Sequence, residues 1–322
     1  MGTHAKAKIL SQDQLTPYYL RYRERLCADQ PTLDERLLDG KMVVRERFSD
    51  LAAEYDAIFF DAYGVLNMGE LPIAGAAAAL TRQRLEGRPF RIVSNNASQS
   101  PQTLMSRYRS TGFDVTSADF VTSGMAALFY LEWSPLRGHP YLLVGTADSR
   151  AVYAPHPERL MVNHHDSPWP LAAADYILFC SDRDYHGTNQ QTQTLELLSA
   201  KRVPLLLANP DLVAPKEDGR PDPVAGYTAA LLEDQFSIDI HGIGKPFPPI
   251  FRLAMAQLPG IPPERILMVG DTLDTDILGG AAMGFATCLT LSGIYGHNLS
   301  EITRLADTRG IRPDYIVANI CE

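Results

Sequence analysis

Phe59-Phe60-Asp61-Ala62-Tyr63-Gly64-Val65-Leu66 and Met268-Val269-Gly270-Asp271-Thr272-Leu273-Asp274-Thr275-Asp276-Ile277 decide the fold of this chain. In both, a short continuous apolar run ends in a turn that carries a glycine and a carboxylate, and a helical pattern follows. Similar runs stand at Phe90-Arg91-Ile92-Val93, Tyr141-Leu142-Leu143-Val144, Tyr176-Ile177-Leu178-Phe179, Leu205-Leu206-Leu207-Ala208 and Tyr315-Ile316-Val317. Runs without polar alternation read as parallel strands covered by helices on both faces. The expected fold class is therefore α/β, a doubly wound parallel sheet of Rossmann-like form. In open sheets of this kind ligands bind beyond the carboxyl ends of the strands, so the polar residues just after each run are the candidates for chemistry.

Working outward, Pro and Gly gather at Ser134-Pro135-Leu136-Arg137-Gly138 and again around Lys216 to Pro223. These breaks predict an inserted, smaller α/β domain over 137–237 whose strands begin at Tyr141, Tyr176 and Leu205. The main domain is then discontinuous, 51–136 and 238–322. Residues 1–50 read as a helical N-terminal extension, with Tyr18, Tyr19, Tyr22 and Leu26 at helical spacing and a second amphipathic stretch from Glu35 to Tyr55. Such an extension could cover the core or make a homodimer contact, and the sequence leaves both open. The alanine-rich stretch Ile73 to Leu85 reads as a packed core helix.

The chain has 322 residues, 45% of them hydrophobic and 21% charged, which is ample for a large core. Its net charge of −9, with no basic run, argues against a nucleic-acid partner. No apolar run reaches the length of a membrane span, and the first residues lack the apolar stretch of a secretory signal, so no membrane partner and a cytoplasmic location are expected. Cys27, Cys180, Cys288 and Cys321 lie scattered without ligand spacing, which fits a reducing compartment and no zinc knuckle.

The strand ends are chemically coherent. Asp61 stands at the tip of a buried strand, where a carboxylate meets ligand between apolar walls; taken alone, it could equally be a turn former. Val93-Ser94-Asn95-Asn96 offers a hydroxyl and amides able to grip phosphate oxygens, with Ser94 and Asn95 assigned to binding and Asn96 to loop capping. Lys245 sits between the turn Gly242-Ile243-Gly244 and a helix expected to open at Pro246. After the last strand, Asp271 reads as a direct ligand of a hard cation. Asp276 reads as a ligand through water or as an orienter of Lys245, while Asp274 could equally be a solvated charge at a helix start and is left out of the site. Oxygen-only donors of this kind suit magnesium. In the inserted domain, Asp211 of Asn209-Pro210-Asp211 is a candidate substrate contact. Asp182-Arg183-Asp184-Tyr185-His186 reads as a solvated loop with internal ion pairs, and His164-His165-Asp166 as exposed.

These segments, in this order and with an insertion between the second and third, resemble the haloacid-dehalogenase-like superfamily. The likeness, over about residues 50–320, is to the class IIA phosphatases with a large α/β cap, the group of the p-nitrophenyl and N-acetylglucosamine-phosphate phosphatases. It rests on Asp61, Ser94-Asn95-Asn96, Lys245-Pro246, Gly270-Asp271 through Thr275-Asp276-Ile277, and Asn209-Pro210-Asp211. The resemblance implies a magnesium-dependent hydrolase acting on a small phosphorylated substrate. Asp61 would be the covalent nucleophile, Lys245 a catalytic partner, and Asp271, Asp276, Asp61 and the backbone carbonyl of Tyr63 the metal ligands.

One position departs from the pattern. Where these phosphatases carry a second aspartate two residues after the nucleophile, to protonate the leaving group and later activate water, this chain has Tyr63. A phenol, with an ordinary pKa of about 10, can give a proton but is a poor base at neutral pH. Two alternatives follow: a non-catalytic phosphate-ligand binding or regulatory protein, and a 2-haloacid dehalogenase, whose opening motif Asp-Ala-Tyr-Gly resembles.

Overall fold

In the computed structural model, which describes residues 10–153, 161–163, 169–215 and 221–321, two parallel sheets carry the fold. In chain order the strands are β1 (Val43–Arg45), β2 (Ala57–Phe60), β3 (Asn67–Met68), β4 (Leu71–Pro72), β5 (Phe90–Ser94), β6 (Phe120–Thr122), β7 (Tyr141–Val144) and β8 (Tyr176–Phe179). They continue with β9 (Leu205–Leu207), β10 (Val213–Pro215), β11 (Pro221–Pro223), β12 (Ile240–Gly242), β13 (Ile266–Gly270), β14 (Ala286–Thr290) and β15 (Tyr315–Val317). The larger sheet has the order β1-β15-β14-β13-β2-β5-β6 and the smaller β12-β9-β8-β7. The pairs β3–β4 and β10–β11 are antiparallel ribbons.

Every residue of β2 and β13 is buried, as unalternating runs require. Successive side chains of a strand point to opposite faces, and here they feed two different cores. Ala57 and Phe59 pack on one side with Met268 and Phe251, while Ile58 and Phe60 pack on the other with Val269 and Leu80. Each fully buried side chain of this size contributes about 1.5–3 kcal/mol relative to exposure, which makes this central pair the rigid frame of the molecule.

The chain runs outward from β2 through β5 to β6 on one side, and from β13 through β14 to β15 on the other. The order therefore reverses between β2 and β13, the place where a crevice opens in sheets of this class. Phe60 lies opposite both Val269 and Ile92, so Asp61, Asp271 and Ser94 leave the sheet along one edge.

Several boundaries differ from the sequence reading. Glu35 to Tyr55 is not one amphipathic stretch: helix α2 (Leu33–Asp39) ends at Gly40, β1 pairs in parallel with β15, and a short helix covers Phe48–Ala52. At the helix end Gly40 lies so close to the carbonyl of Arg312 that a Cβ would come within 2.0 Å of it, so only glycine fits there. The segment 1–50 thus supplies an edge strand of the larger sheet besides its helices. β12 lies past residue 237 yet pairs with β9, so the smaller sheet extends to Gly242. The alanine-rich helix spans Ala76–Leu85 and buries one face only, leaving Leu85 exposed. The helix after Lys245 opens at Pro248, not Pro246, with Phe247 as its N-cap.

Helix α1 (Gln12–Asp29) begins at a capping box in which Ser11 and Gln14 bond each other's backbone. Its Leu15, Tyr19, Tyr22 and Leu26 enter a third core with Leu212, Phe247, Leu273 and Ile277. Among the described residues no helix is long and apolar enough to cross a membrane.

Candidate active site

Asp61, Asp271 and Asp276 each bring a carboxylate oxygen to one place, all within 4.8 Å of one another. Asp61 is set by its backbone, whose N–H donates to the Val269 carbonyl at 2.8 Å, and its Oδ1 accepts from the Ala62 N–H at 2.6 Å. Asp271 Oδ2 accepts from the Ile294 N–H at 2.9 Å and Oδ1 from the Thr272 hydroxyl at 2.9 Å. Asp276 lies in a single turn of π-helix, Leu273–Ile277, and its Oδ2 accepts from the Thr272 N–H at 3.2 Å. Such turns are uncommon and gather at functional sites.

Lys245 Nζ closes the cluster, 2.5 Å from Asp61 Oδ1 and 2.7 Å from Asp276 Oδ1, with its side chain 1% exposed. Burial pulls the ammonium down, but Asp276, Asp61 and Asp211 outweigh it and hold the pKa above the ordinary lysine value. Burial, and then the Asp61 charge, push Asp271 up to about 7 and Asp276 well above the usual carboxylate range. Three enclosed carboxylates thus face one ammonium, and the cluster is short of positive charge. A divalent cation with oxygen ligands fits that deficit and that donor set.

Two glycines make room for Asp271. Gly64 has φ +79°, and a Cβ on it would lie 2.1 Å from Asp271 Oδ2; a Cβ on Gly293 would lie 2.0 Å from the same atom. The Gly64 carbonyl accepts from the Ser292 hydroxyl at 2.6 Å, which ties the turn after β2 to the loop after β14.

Ser94 is 4% exposed at the end of β5, and its Oγ accepts from the Asn96 N–H at 3.3 Å. Asn95 differs from the expectation of a phosphate donor. Its Nδ2 donates to Asp211 Oδ1 at 2.8 Å and to the Lys245 carbonyl at 3.0 Å, while its Oδ1 accepts from the Lys245 N–H at 2.7 Å. Both amide hydrogens are engaged, so Asn95 braces Lys245 against the inserted domain. Burial pushes Asp211 up to about 6, with Lys245 lowering it and Asp61 raising it, which places Asp211 within electrostatic reach of the cluster. Tyr63 points its hydroxyl toward Arg107, whose Nη1 donates to it at 3.5 Å.

Asp274 is not a solvated helix charge: it is fully buried and paired with the fully buried Arg309, which also bonds the Tyr295 hydroxyl. The loop 182–186 agrees with its reading in part: Arg183, Asp184 and His186 are exposed and Asp182 lies 3.8 Å from His186, but Tyr185 is buried and Asp182 also accepts from the Thr228 hydroxyl at 2.7 Å. Arg309 and Arg107 carry no local signal in the sequence, because neither stands at the end of an apolar strand. His164, His165 and Asp166 lie outside the described residues.

Comparison with known proteins agrees with this architecture. A haloacid dehalogenase-like hydrolase family model matches residues 58–156, and a HAD-hydrolase-like model matches residues 242–322. The chain is 30% identical over 288 residues to glycerol-3-phosphate phosphatase of Gallus gallus, covering 84% of this chain and 91% of that protein. Among solved structures it is similar to a possible sugar phosphatase of Cytophaga hutchinsonii, with TM-score 0.76 and 29% identity over 87% of this chain and 99% of that one. It is similar also to a glycerol phosphate phosphatase of Mycobacterium tuberculosis solved with calcium, with TM-score 0.67 and 28% identity over 84% of this chain and 75% of that one. With its sheet order, its carboxylate cluster and these relatives together, the chain belongs to the haloacid dehalogenase-like hydrolases, within their class IIA phosphatases.

Proposed function

We propose that this phosphatase hydrolyses a small phosphomonoester, of the glycerol phosphate or sugar phosphate class, through an aspartyl-phosphate on Asp61 and with magnesium as its cation. The observation that carries the reading is the convergence of Asp61, Asp271, Asp276 and Lys245 at the point where the strand order reverses. The substrate class is supported by relatives described as glycerol-3-phosphate, dihydroxyacetone and acid sugar phosphatases.

In the first step an Asp61 oxygen attacks phosphorus, the ester P–O bond breaks, and the alcohol leaves with a proton. Water then attacks the same phosphorus, the bond to Asp61 breaks, and inorganic phosphate departs. Lys245 holds Asp61 in place and adds positive charge beside the phosphoryl oxygens, with Ser94 supplying a hydroxyl from the neighbouring strand. Asp61, Asp271, Asp276 and the backbone carbonyl of Tyr63 would hold a magnesium ion, which when bound offsets the charge of the phosphoryl oxygens. The Tyr63 hydroxyl can donate a proton to the leaving oxygen but is ill suited to activate water, so the second step is the slow one. Retention of both Asp271 and Asp276 with Lys245 favours phosphate over halide displacement.

The test is phosphate release from a panel of phosphate esters, with magnesium and with chelator, for the wild type and Asp61→Asn. Release that needs the metal and vanishes in Asp61→Asn supports the proposal. Halide release insensitive to chelator would instead support a dehalogenase. Tight binding of phosphate without turnover would support a regulatory protein.

A further inference from the structure

Helix α1 reaches two loops of the site at once. At its start, the Gln12 carbonyl and Oε1 accept from Arg309 Nη2 at 3.3 and 2.8 Å, and the Tyr19 ring lies 4.7 Å beneath the Arg309 guanidinium. Arg309 passes this contact on. It is paired with Asp274, which lies between Asp271 and Asp276 in sequence, and its Nη1 donates to the Tyr295 hydroxyl at 3.2 Å. Tyr295 follows Ile294, whose N–H holds Asp271. Further along, the Tyr22 hydroxyl donates to the Pro210 carbonyl at 2.8 Å in a buried bond, next to Asp211. Tyr22 also packs edge-on against Phe247, two residues from Lys245, with ring centroids 5.2 Å apart. The outer face of the helix ties to the inserted domain through Arg21 with Asp234 at 2.8 Å, Arg25 with Glu233, and the ring of Tyr18 against Tyr227.

We propose that α1 is a strap that fixes the distance between the carboxylate loop 271–276 and the loop 209–211 of the inserted domain, with Gln12 and Tyr22 as positioning residues that touch neither substrate nor metal. The two arms are separable by chemistry. The Gln12 arm ends on Arg309, on the side away from Asp274, where Thr16 Oγ1 of the same helix also accepts from the guanidinium at 3.4 Å, so it governs the carboxylate loop. The Tyr22 arm ends on a carbonyl one residue before Asp211, so it governs the loop that closes over Asn95 and Lys245. Arg309, Asp274 and Pro210 are buried or enclosed, and loss of one such hydrogen bond leaves a polar group without its partner and frees the loop that carried it.

The inference concerns the site proposed above, and its activity arm rests on that reading. Tyr22→Phe and Gln12→Ala are compared with the wild type by hydrogen–deuterium exchange of the full chain, which needs no turnover. In Tyr22→Phe, amides of 209–212 are expected to exchange about fivefold faster or more, with 271–277 unchanged. In Gln12→Ala the pattern reverses, and the magnesium concentration for half-maximal thermal stabilisation rises by a similar factor. With p-nitrophenyl phosphate as probe, Tyr22→Phe is expected to raise KM more than it lowers kcat. Uniform change across the chain, or no change at either loop, overturns the strap. An inactive wild type that still shows the two exchange patterns overturns the phosphatase reading and leaves the strap standing.

Discussion

Lys245 Nζ lies 2.7 Å from Asp276 Oδ1, and neither side chain is more than 1% exposed. A buried pair of this kind is strongly destabilising to break from one side, because the remaining charge has neither water nor partner. Lys245→Met, which keeps the bulk and removes the charge, is expected to cost about 3–5 kcal/mol in the presence of chelator. Magnesium should restore part of that loss, since a cation can take over the orphaned carboxylates. Chemical denaturation with and without magnesium measures both effects; equal loss under the two conditions would separate Lys245 from the cation site.

The cation site should be dependent on pH in a defined direction. With Asp271 raised to about 7 by burial and by Asp61, the metal-free fold binds a proton more tightly than the unfolded chain does. Between the ordinary carboxylate value of about 4 and pH 7 the native state therefore holds more protons, so stability in chelator falls as pH rises through this window. A metal ion competes with that proton, so its stabilising effect is small below the window and grows as pH rises through it. Thermal melts in chelator and in magnesium across this range should diverge with rising pH. Curves that stay parallel would contradict the assignment of Asp271 to the metal.

Gly64 joins a left-handed backbone to a close approach. Gly64→Ala places a Cβ where Asp271 Oδ2 now lies and strains a φ of +79°. Affinity for magnesium is expected to fall by about fivefold to a hundredfold, the worth of about 1–3 kcal/mol if the strain is relieved by displacing Asp271. Isothermal titration of the variant with magnesium reads this directly.

Under the proposed mechanism Tyr63 sets the speed of the second step. Restoring a carboxylate with Tyr63→Asp is expected to raise steady-state turnover by about a hundredfold or more, the usual worth of a positioned acid/base. The same change removes the hydroxyl that accepts from Arg107, so a modest loss of stability accompanies it. A variant no faster than wild type would show that Tyr63 is not the brake.

How far this was legible in the sequence depended on the length and purity of each apolar run. β2, β7, β8 and β15 were expected with their observed limits, because four or three consecutive apolar residues admit little else. β12 escaped because Ile240-His241-Gly242 has one apolar residue, and β14 because Thr287 and Thr290 interrupt it; Thr287 is buried and bonded to Asp314, which no local pattern reveals. β1 exists only because β15 is there to pair with it. At the site, Asp61, Lys245, Asp271 and Asp276 could be picked out as residues at strand ends and in glycine turns. Asp274 could not be placed, because its partner Arg309 lies 35 positions away on the helix Leu299–Arg309. Asn95 was placed at the right spot, but its bonds to Lys245 and Asp211 cross 150 and 116 positions of sequence, so its bracing role belongs to the fold alone.

The central claim is that Asp61 carries the phosphoryl group, and acid quenching tests it most directly. Protein mixed with labelled phosphate ester and magnesium should accumulate protein-bound phosphate on the peptide containing Asp61, because Tyr63 slows its hydrolysis. The label should be absent in Asp61→Asn and in chelator, and in Tyr63→Asp it should fall while free phosphate rises. Turnover of the ester by Asp61→Asn at the wild-type rate, with no bound phosphate in either protein, would contradict the account.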